Sequence, residues 1–245
     1  MPRRYLGRRP PHANLVLPHV SEVAALPPVS IDADWSRSVA AFGMYGNGLA
    51  GCCTYTAAAN ARHQFGVYAG RAPAISDAEV LHEYALATGW PAQDPGRVET
   101  DVLHDWMTKG FTFGEQVDRI DGYAAVRHDS VAEVRQMIAL FGGVMVGAEL
   151  PETAEDSLEW QPSSGPRGAV GSLGGHEMWC NAADDQGVQL ITWGERARAS
   201  WDWFLTYVDD VQVVLSRDWL LPNTDTPAGV DWAALNNAMA NLEAA

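Results

Sequence analysis

A glycine-rich turn that runs directly into an alanine-rich helix constrains the fold more than any other stretch. Residues 47–55 read Asn-Gly-Leu-Ala-Gly-Cys-Cys-Thr-Tyr, and residues 56–62 contain neither Gly nor Pro. The second run predicts a helix with Cys52 and Cys53 in its first turn. A thiol there lies near the positive end of the helix dipole, which lowers its pKa, and beside free N–H groups that can hold an oxyanion. The stretch predicts a cysteine nucleophile, and this geometry alone favours neither cysteine.

Composition narrows the class of protein. The 245 residues suffice for one large domain or two small lobes, and the net charge of −15 argues against nucleic acid as a partner. Three cysteines, two of them adjacent, cannot form a disulfide framework, so we expect a reducing, cytoplasmic location. No C-x-x-C pair suggests a metal site, and we expect no cofactor. The longest apolar run, residues 137–150, is too short to span a bilayer, so no membrane partner is expected.

The predicted elements change character along the chain. Helices dominate the first half and antiparallel strands the second, which indicates an α+β fold. The segment 152–170 is polar and contains Pro and Gly, so it is predicted to be a loop. A capping-box pattern at Ser76 and Glu79 begins a predicted helix over 76–88, further predicted helices cover 99–109 and 129–141, and 201–208 is predicted to be a short helix or a turn. Predicted strands cover 144–150, 177–182, 188–193 and 211–215, with a turn at 184–187 between the second and the third.

Three regions follow from these patterns. Residues 1–34 carry four arginines and two Pro-Pro pairs and are predicted to form an extended arm, packed on its own domain or laid along a partner. Residues 35–220 form the folded domain. Residues 221–245 form a linker and a terminal helix, whose apolar stripe contains Trp232, Leu235, Met239 and Leu242. The arm and this helix are candidate surfaces for a homo-oligomer or another assembly partner.

A thiol nucleophile needs a base, and His176 is the candidate. It follows Gly174-Gly175, which leaves room for a substrate backbone, and it begins an apolar strand. Cys180, four residues later, is interpreted as a small buried residue.

The order of these motifs resembles that of papain-like cysteine peptidases. A Gly-x-Cys sequence enters an alanine-rich helix, a Gly-His strand follows, and Trp193-Gly194 ends the next strand. The family's oxyanion glutamine lies six residues before its cysteine. From Cys53 that offset reaches Asn47, and from Cys52 it reaches Gly46, so the resemblance selects Cys53. Gly51 then matches the family's glycine two residues earlier.

The resemblance implies roles for these residues. Cys53 would be the nucleophile, His176 the base and Asn47 the oxyanion donor, with Trp193 as a shield over the pair. Residues 94–98 would correspond to the family's glycine-rich strand beside the substrate. The implied fold is a helical N-terminal lobe, with the nucleophile on a central helix, beside an antiparallel β C-terminal lobe. The motifs resemble most closely a papain-like group of bacteria and tailed phages.

The sequence also departs from the family. The asparagine that orients the histidine is replaced by Ile191, and Thr192 is expected on the opposite face of its strand. Glu177 and Glu195 are exposed candidates for that role. The proline-rich arm is not expected to act as an inhibitory propeptide.

Two functions fit these observations. The first is a thiol hydrolase, most simply a peptidase acting on a peptide or protein substrate. The alternative is a catalytically weak or inactive papain-like scaffold, serving as a structural or accessory protein of a phage particle.

Overall fold

The structure is a computed structural model that describes residues 4–12, 19, 30–114, 116–221 and 225–233. Helices α1 (Cys53–Tyr68), α2 (Asp77–Thr88) and α3 (Glu99–Thr108) form one lobe together with a small β-hairpin. The second lobe is a sheet that carries helices α4 (Val131–Phe141) and α5 (Trp201–Tyr207). The chain therefore has the predicted α+β fold, with a helical lobe followed by an antiparallel-rich β lobe.

Helices α2 and α4 begin where the sequence offers capping residues. At α2, the Ser76 hydroxyl accepts a hydrogen bond from the Glu79 N–H and the Glu79 carboxylate accepts one from the Ser76 N–H, which completes the predicted capping box. At α4, Ser130 caps the first turn, and Gly142 ends the helix in the left-handed conformation. Both helices were predicted within one or two residues of their observed ends.

The strands form one large sheet, in which all pairs but one are antiparallel. Its order is β6 (Gly122–Ala125), β12 (Val208–Leu215), β7 (Val144–Leu150), β9 (Gly174–Ala183), β10 (Gly187–Thr192), β11 (Glu195–Ser200) and β8 (Glu159–Trp160), and the short β2 (Ala33–Asp34) also pairs with β9. The exception is β8, which runs parallel to β11. Further pairs join β1 (Arg8–Arg9) to β3 (Arg97–Val98), and β4 (Phe111–Phe113) to β5 (Gln116–Asp118).

Strand β9 connects the two lobes because its side chains alternate between two cores. Met178 and Cys180 lie in the core of the β lobe, whereas Trp179 packs on the helical side. The Trp179 indole N–H donates to Gln64 of α1, and its ring contacts Phe65 with centroids 5.6 Å apart. The C-terminal half of α1 is therefore held against the middle of β9, while Cys53 at the other end of the helix lies beside Glu177 of the same strand.

Two predictions about the β lobe were wrong. The predicted loop 152–170 contains strand β8, and residues 195–200 form a strand that was not predicted. Strand β11 alternates charged residues with Ala197 and Ala199, which are buried, so its apolar face is too small to give a clear period-two signal. Of the predicted terminal stripe, Trp232 packs against the β-lobe core, and Leu235, Met239 and Leu242 lie outside the described residues.

Candidate active site

The two adjacent cysteines face different surroundings at the start of α1. Cys52 is the residue before the helix, and its sulfur lies 3.7 Å from both the Tyr45 carbonyl oxygen and the Thr56 hydroxyl, inside the helical lobe. Cys53 begins the helix, and its sulfur accepts hydrogen bonds from the backbone N–H groups of Glu177 and Gly7. Cys53 is therefore the cysteine that faces the β lobe.

The predicted low pKa of the thiol was wrong for this arrangement. Burial raises the pKa of Cys53 to about 12, and the Glu177 carboxylate raises it further, which outweighs the backbone hydrogen bonds. The Cys53 side chain is 1% exposed. A helix dipole stabilises a thiolate only modestly, whereas loss of water around a charge can shift a pKa by several units. The enclosed thiol is neutral.

His176 is also buried and neutral. Burial, followed by the nearby charges of Arg4 and Arg8, lowers its pKa to about 3. One ring nitrogen, Nε2, lies 2.8 Å from the Thr192 hydroxyl, and Nδ1 has no hydrogen-bond partner among the described residues. If Nε2–H donates to Thr192, then Nδ1 is left as the basic nitrogen.

Thr192 therefore occupies the position that the sequence left unfilled. In the family the orienting residue lies two positions before the tryptophan, which is Ile191 here, so Ile191 was expected to face His176 and Thr192 to face away from it. Side chains do alternate along the strand, but the residue that faces His176 is Thr192. Ile191 points into the helical core, so Thr192 shares the face of Leu190 and of His176. The missing signal was the pairing register of β9 with β10.

The two glutamates proposed to orient His176 lie elsewhere. Glu177 is 2% exposed rather than exposed, and its carboxylate pairs with Arg8. Glu195 pairs with Arg4, with a nitrogen–oxygen distance of 3.6 Å. Glu177 was expected to be exposed because charged side chains are mostly found on the surface, and the sequence does not show that Arg8 covers it.

Trp193 lies over the histidine. Its ring is stacked on that of His176, with centroids 4.6 Å apart and an angle of 24° between the planes. The Trp193 backbone has a φ of +49°, which is uncommon for a bulky residue. The indole shields the imidazole from water, in the place that the sequence assigned to it.

Asn47 is fully buried beside the turn that precedes α1. Its Nδ2 donates to the carbonyl oxygens of Tyr5 and Ala50, each at 3.1 Å. The side chain is thus a donor that already holds a peptide carbonyl in the cleft, as an oxyanion donor must. The Trp193 indole N–H also approaches the Tyr5 oxygen, at 3.4 Å.

The N-terminal arm lies in the cleft between the lobes. Arg4 stacks on the Trp193 ring at 4.6 Å, and at the other end of the segment the His12 ring contacts Asp101 of α3 at 2.9 Å. Between them, β1 pairs in parallel with β3, in register Arg8 with Arg97. The predicted substrate-side strand is therefore paired with a peptide, and the peptide is the chain's own residues 4–12, called the arm segment below.

Glycines let the arm segment cross so close to the nucleophile. A Cβ placed on Gly7 would lie 1.7 Å from the Gly51 carbonyl oxygen, and one on Gly96 would lie 1.8 Å from the Gly7 carbonyl oxygen. A Cβ on Gly175 would lie 2.6 Å from the Arg8 carbonyl oxygen. Contacts this short leave no room for a side chain, so only glycine fits at these positions. Gly51 and Gly175, chosen from the sequence, both line the cleft.

The arm segment is held as a peptide ligand but not as a cleavable one. The carbonyl bound by Asn47 belongs to Tyr5, whereas the group at the Cys53 sulfur is the N–H of Gly7. Nucleophilic attack by Cys53 requires a single peptide carbonyl whose carbon lies at the sulfur and whose oxygen lies at the oxyanion donors. These two contacts belong to residues two positions apart, so the described contacts do not present a scissile bond to the thiol.

The expectation that the arm does not act as an inhibitory propeptide stays a prediction, but residues 4–12 do lie in the cleft. Proline-rich sequence excludes a helix but suits an extended strand, and an extended strand is what a peptide-binding cleft accommodates. The short length did not matter because nine residues span the whole cleft.

The described residues contain no group of three His, Cys, Asp or Glu side chains that could hold a metal ion. They also contain no helix long and apolar enough to cross a membrane.

Comparison with solved structures gives the class of the fold. The chain is similar to xylellain, a cysteine protease from Xylella fastidiosa, with a TM-score of 0.64 and 17% identity over 88% of this chain and 98% of that one. It is also similar to the cysteine protease CMS1MS2 of Carica candamarcensis in complex with E-64, with a TM-score of 0.56 and 11% identity over 77% and 99% of the two chains. Digestive procathepsin L 3 of Tenebrio molitor larval midgut gives a TM-score of 0.51 and 14% identity over 87% and 76%.

The chain thus has the fold of the papain-like cysteine proteases. At these identities the likeness shows the fold alone. In sequence comparisons, no protein-family model and no curated protein matches the chain.

Proposed function

We propose that the chain is a papain-like thiol hydrolase, a cysteine peptidase, held latent by its own N-terminal arm segment. The observation that carries the proposal is that the cleft at Cys53 already binds an extended peptide. Backbone groups of that peptide are recognised by Asn47 and by the Arg97 N–H, which donates to the Gly7 carbonyl oxygen at 2.8 Å. Recognition through the backbone suits a site whose ligand is a polypeptide.

The mechanism follows from the same contacts. After the arm segment leaves, water enters the cleft, the Cys53 pKa falls and the His176 pKa rises, because the main cause of both shifts is burial. The thiolate then attacks a peptide carbonyl, and Asn47 and the Cys53 N–H stabilise the oxyanion. His176, oriented by Thr192, takes up the thiol proton and returns it to the leaving amine.

Labelling with a substrate-like probe tests the assignment. The probe is E-64, the compound found with the Carica protease. It is applied to the full-length chain carrying Gly7→Ala, which displaces the arm segment and is called the opened chain below. We expect covalent labelling of Cys53, detected by intact mass, and none after Cys53→Ala or His176→Ala. Cys52→Ala is the matched control and should label normally. Equal labelling of the Cys53→Ala and Cys52→Ala chains, or no labelling of the opened chain, contradicts the proposal.

The phage-particle scaffold stays a prediction. It needs a partner surface on the arm or the terminal helix, and light scattering of the full chain tests it. A monomer at every concentration would count against it.

A further inference from the structure

A pocket beside Cys53 holds the guanidinium of Arg8. The Arg8 side chain is fully buried, and the backbone of Gly147 on β7 forms one wall. A Cβ on Gly147 would lie 2.1 Å from the Arg8 Nε, so the absence of a side chain there leaves the space that the guanidinium fills. The pocket adjoins the nucleophile, because the Glu177 backbone N–H donates to the Cys53 sulfur.

Carboxylates from three strands surround this guanidinium. Asp209 lies 2.8 Å and Glu149 3.8 Å from Nη1, Glu177 lies 3.5 Å from Nε, and Asp210 lies 3.8 Å from Nη2. Glu149 and Asp209 are partly exposed at the mouth, whereas the Glu177 side chain is fully buried at the floor. A side chain can therefore enter from the cleft and meet charge at every nitrogen.

A fifth carboxyl group adds to the acidic surroundings of Arg8. Glu99, the first residue of α3, is 1% exposed and acts electrostatically on both Glu177 and Arg8. The carboxyl groups of Glu99 and Glu177 share a hydrogen bond with each other, and neither has a hydrogen-bond partner of another residue type among the described residues. Burial and mutual repulsion raise the pKa of both carboxyls well above the usual range.

Such a group of buried acids is costly to leave empty. A purely structural ion pair needs one partner for each charge, whereas this pocket offers five carboxylates to one cation. The buried Glu99 and Glu177 pair can only share a proton of its own, so a cation that enters the pocket stabilises the ionised form of the pair. Arg8 reaches the pocket only through the arm segment, which must leave before a substrate can bind.

We propose that this pocket is a specificity site that binds an arginine side chain of the peptide substrate once the arm segment has left. Lysine is the weaker ligand, because its single ammonium cannot reach carboxylates on several sides as the planar guanidinium does. That the arginine belongs to a peptide substrate rests on the proposed peptidase function. The preference for a guanidinium group rests on the pocket alone.

The pocket can be tested without any catalysis. In the full-length Arg8→Ala chain, N-ethylguanidinium should raise the melting temperature, and its neutral isostere N-ethylurea should bind at least about tenfold more weakly. Arg9→Ala is the matched control, since Arg9 is the exposed neighbour in the same strand. Equal shifts with the two compounds, or equal shifts in the two variants, would overturn the inference.

Substrate choice gives a second test that does not need Arg8→Ala to fold. In the full-length Gly7→Ala chain, peptides are compared that differ at one position at a time between arginine and its neutral analogue citrulline. We expect kcat/KM to favour arginine by roughly 10- to 100-fold at one position, the effect of one charge-assisted interaction. Gly147→Val in the same background fills the pocket and should abolish that preference. Hydrolysis with no preference at any position overturns the inference.

The two tests separate the two proposals. If the opened chain neither cleaves a peptide nor labels at Cys53, the peptidase is refuted. The N-ethylguanidinium shift then still decides whether the pocket takes a guanidinium.

Discussion

Opening the cleft should change the reactivity of one thiol by orders of magnitude. The perturbation is Gly7→Ala in the full-length chain, which places a methyl group 1.7 Å from the Gly51 carbonyl oxygen. Neither backbone can absorb that overlap, so the arm segment must move away from Cys53. Water then reaches the sulfur, and the largest cause of its raised pKa is removed.

The size of the effect follows from ionisation. At pH 8 a thiol whose pKa is about 12 is ionised to about 1 part in 10,000, whereas an ordinary thiol with a pKa near 8.5 is ionised to about one quarter. The iodoacetamide rate constant at Cys53 should therefore rise by up to about three orders of magnitude. In the wild type it should keep rising about tenfold per pH unit through pH 10, and in the opened chain it should level off near pH 9.

The assay is peptide mass mapping after timed alkylation. Cys52 and Cys180 lie in the hydrophobic cores of the two lobes and serve as internal references. Arg9→Ala, an exposed position on the same strand, should behave as the wild type. If Gly7→Ala and Arg9→Ala react at the wild-type rate, with the same pH profile, the arm segment does not control access to the thiol and the reasoning is refuted.

Two further predictions concern His176. In the opened chain, Thr192→Val should lower kcat by roughly 10- to 100-fold, because it removes the polar partner of the His176 Nε2. Thr192→Ser keeps the hydroxyl and should retain most of the activity. Equal rates for the two variants would exclude an orienting role for Thr192. Burial lowers the folded-state pKa of His176 to about 3, so below pH 6.5 the unfolded chain binds a proton that the native state excludes. The wild type should lose about 2 kcal/mol of unfolding free energy between pH 7 and pH 5 relative to His176→Gln, measured by urea denaturation; parallel curves would show that His176 is not buried neutral.

Local signals predicted the scaffold well because caps and apolar periodicity act over a few residues. The capping box at Ser76, the apolar strand Val144–Leu150 and the turn at Asp184 were all recognisable, and Asp184 accepts hydrogen bonds from the Gln186 and Gly187 N–H groups there. Strand β11 was missed because its buried side chains are alanines. Pattern identifies elements only where one face carries enough apolar surface.

The residues of the site could be predicted from the sequence, but their burial and their hydrogen-bond partners could not. Cys53, Asn47 and Trp193 were selected by the resemblance of their motifs to the papain-like family, and His176 also by its place after two glycines. The structure brings all four to the cleft around the arm segment. Thr192 was rejected because the register of two strands is a long-range property. The direction of the Cys53 pKa was wrong for a similar reason. Desolvation depends on what covers the sulfur, and the cover comes from a residue 46 positions earlier in the chain, Gly7.

The acidic pocket links release of the arm segment to the choice of substrate. Its carboxylates come from positions 99, 149, 177, 209 and 210, each of which resembles an ordinary surface acid until the fold brings them together. While Arg8 fills the pocket, a peptide must displace it, and a peptide without a cation would leave buried charge uncompensated. An arginine-bearing peptide replaces the lost interaction with an equivalent one. By mass action, such a peptide therefore both competes with the arm segment for the cleft and stabilises the open form. The preferred substrate is thus also the ligand that opens the cleft. At low substrate concentration the arm segment, which is part of the same chain, fills the cleft and keeps the Cys53 thiol neutral.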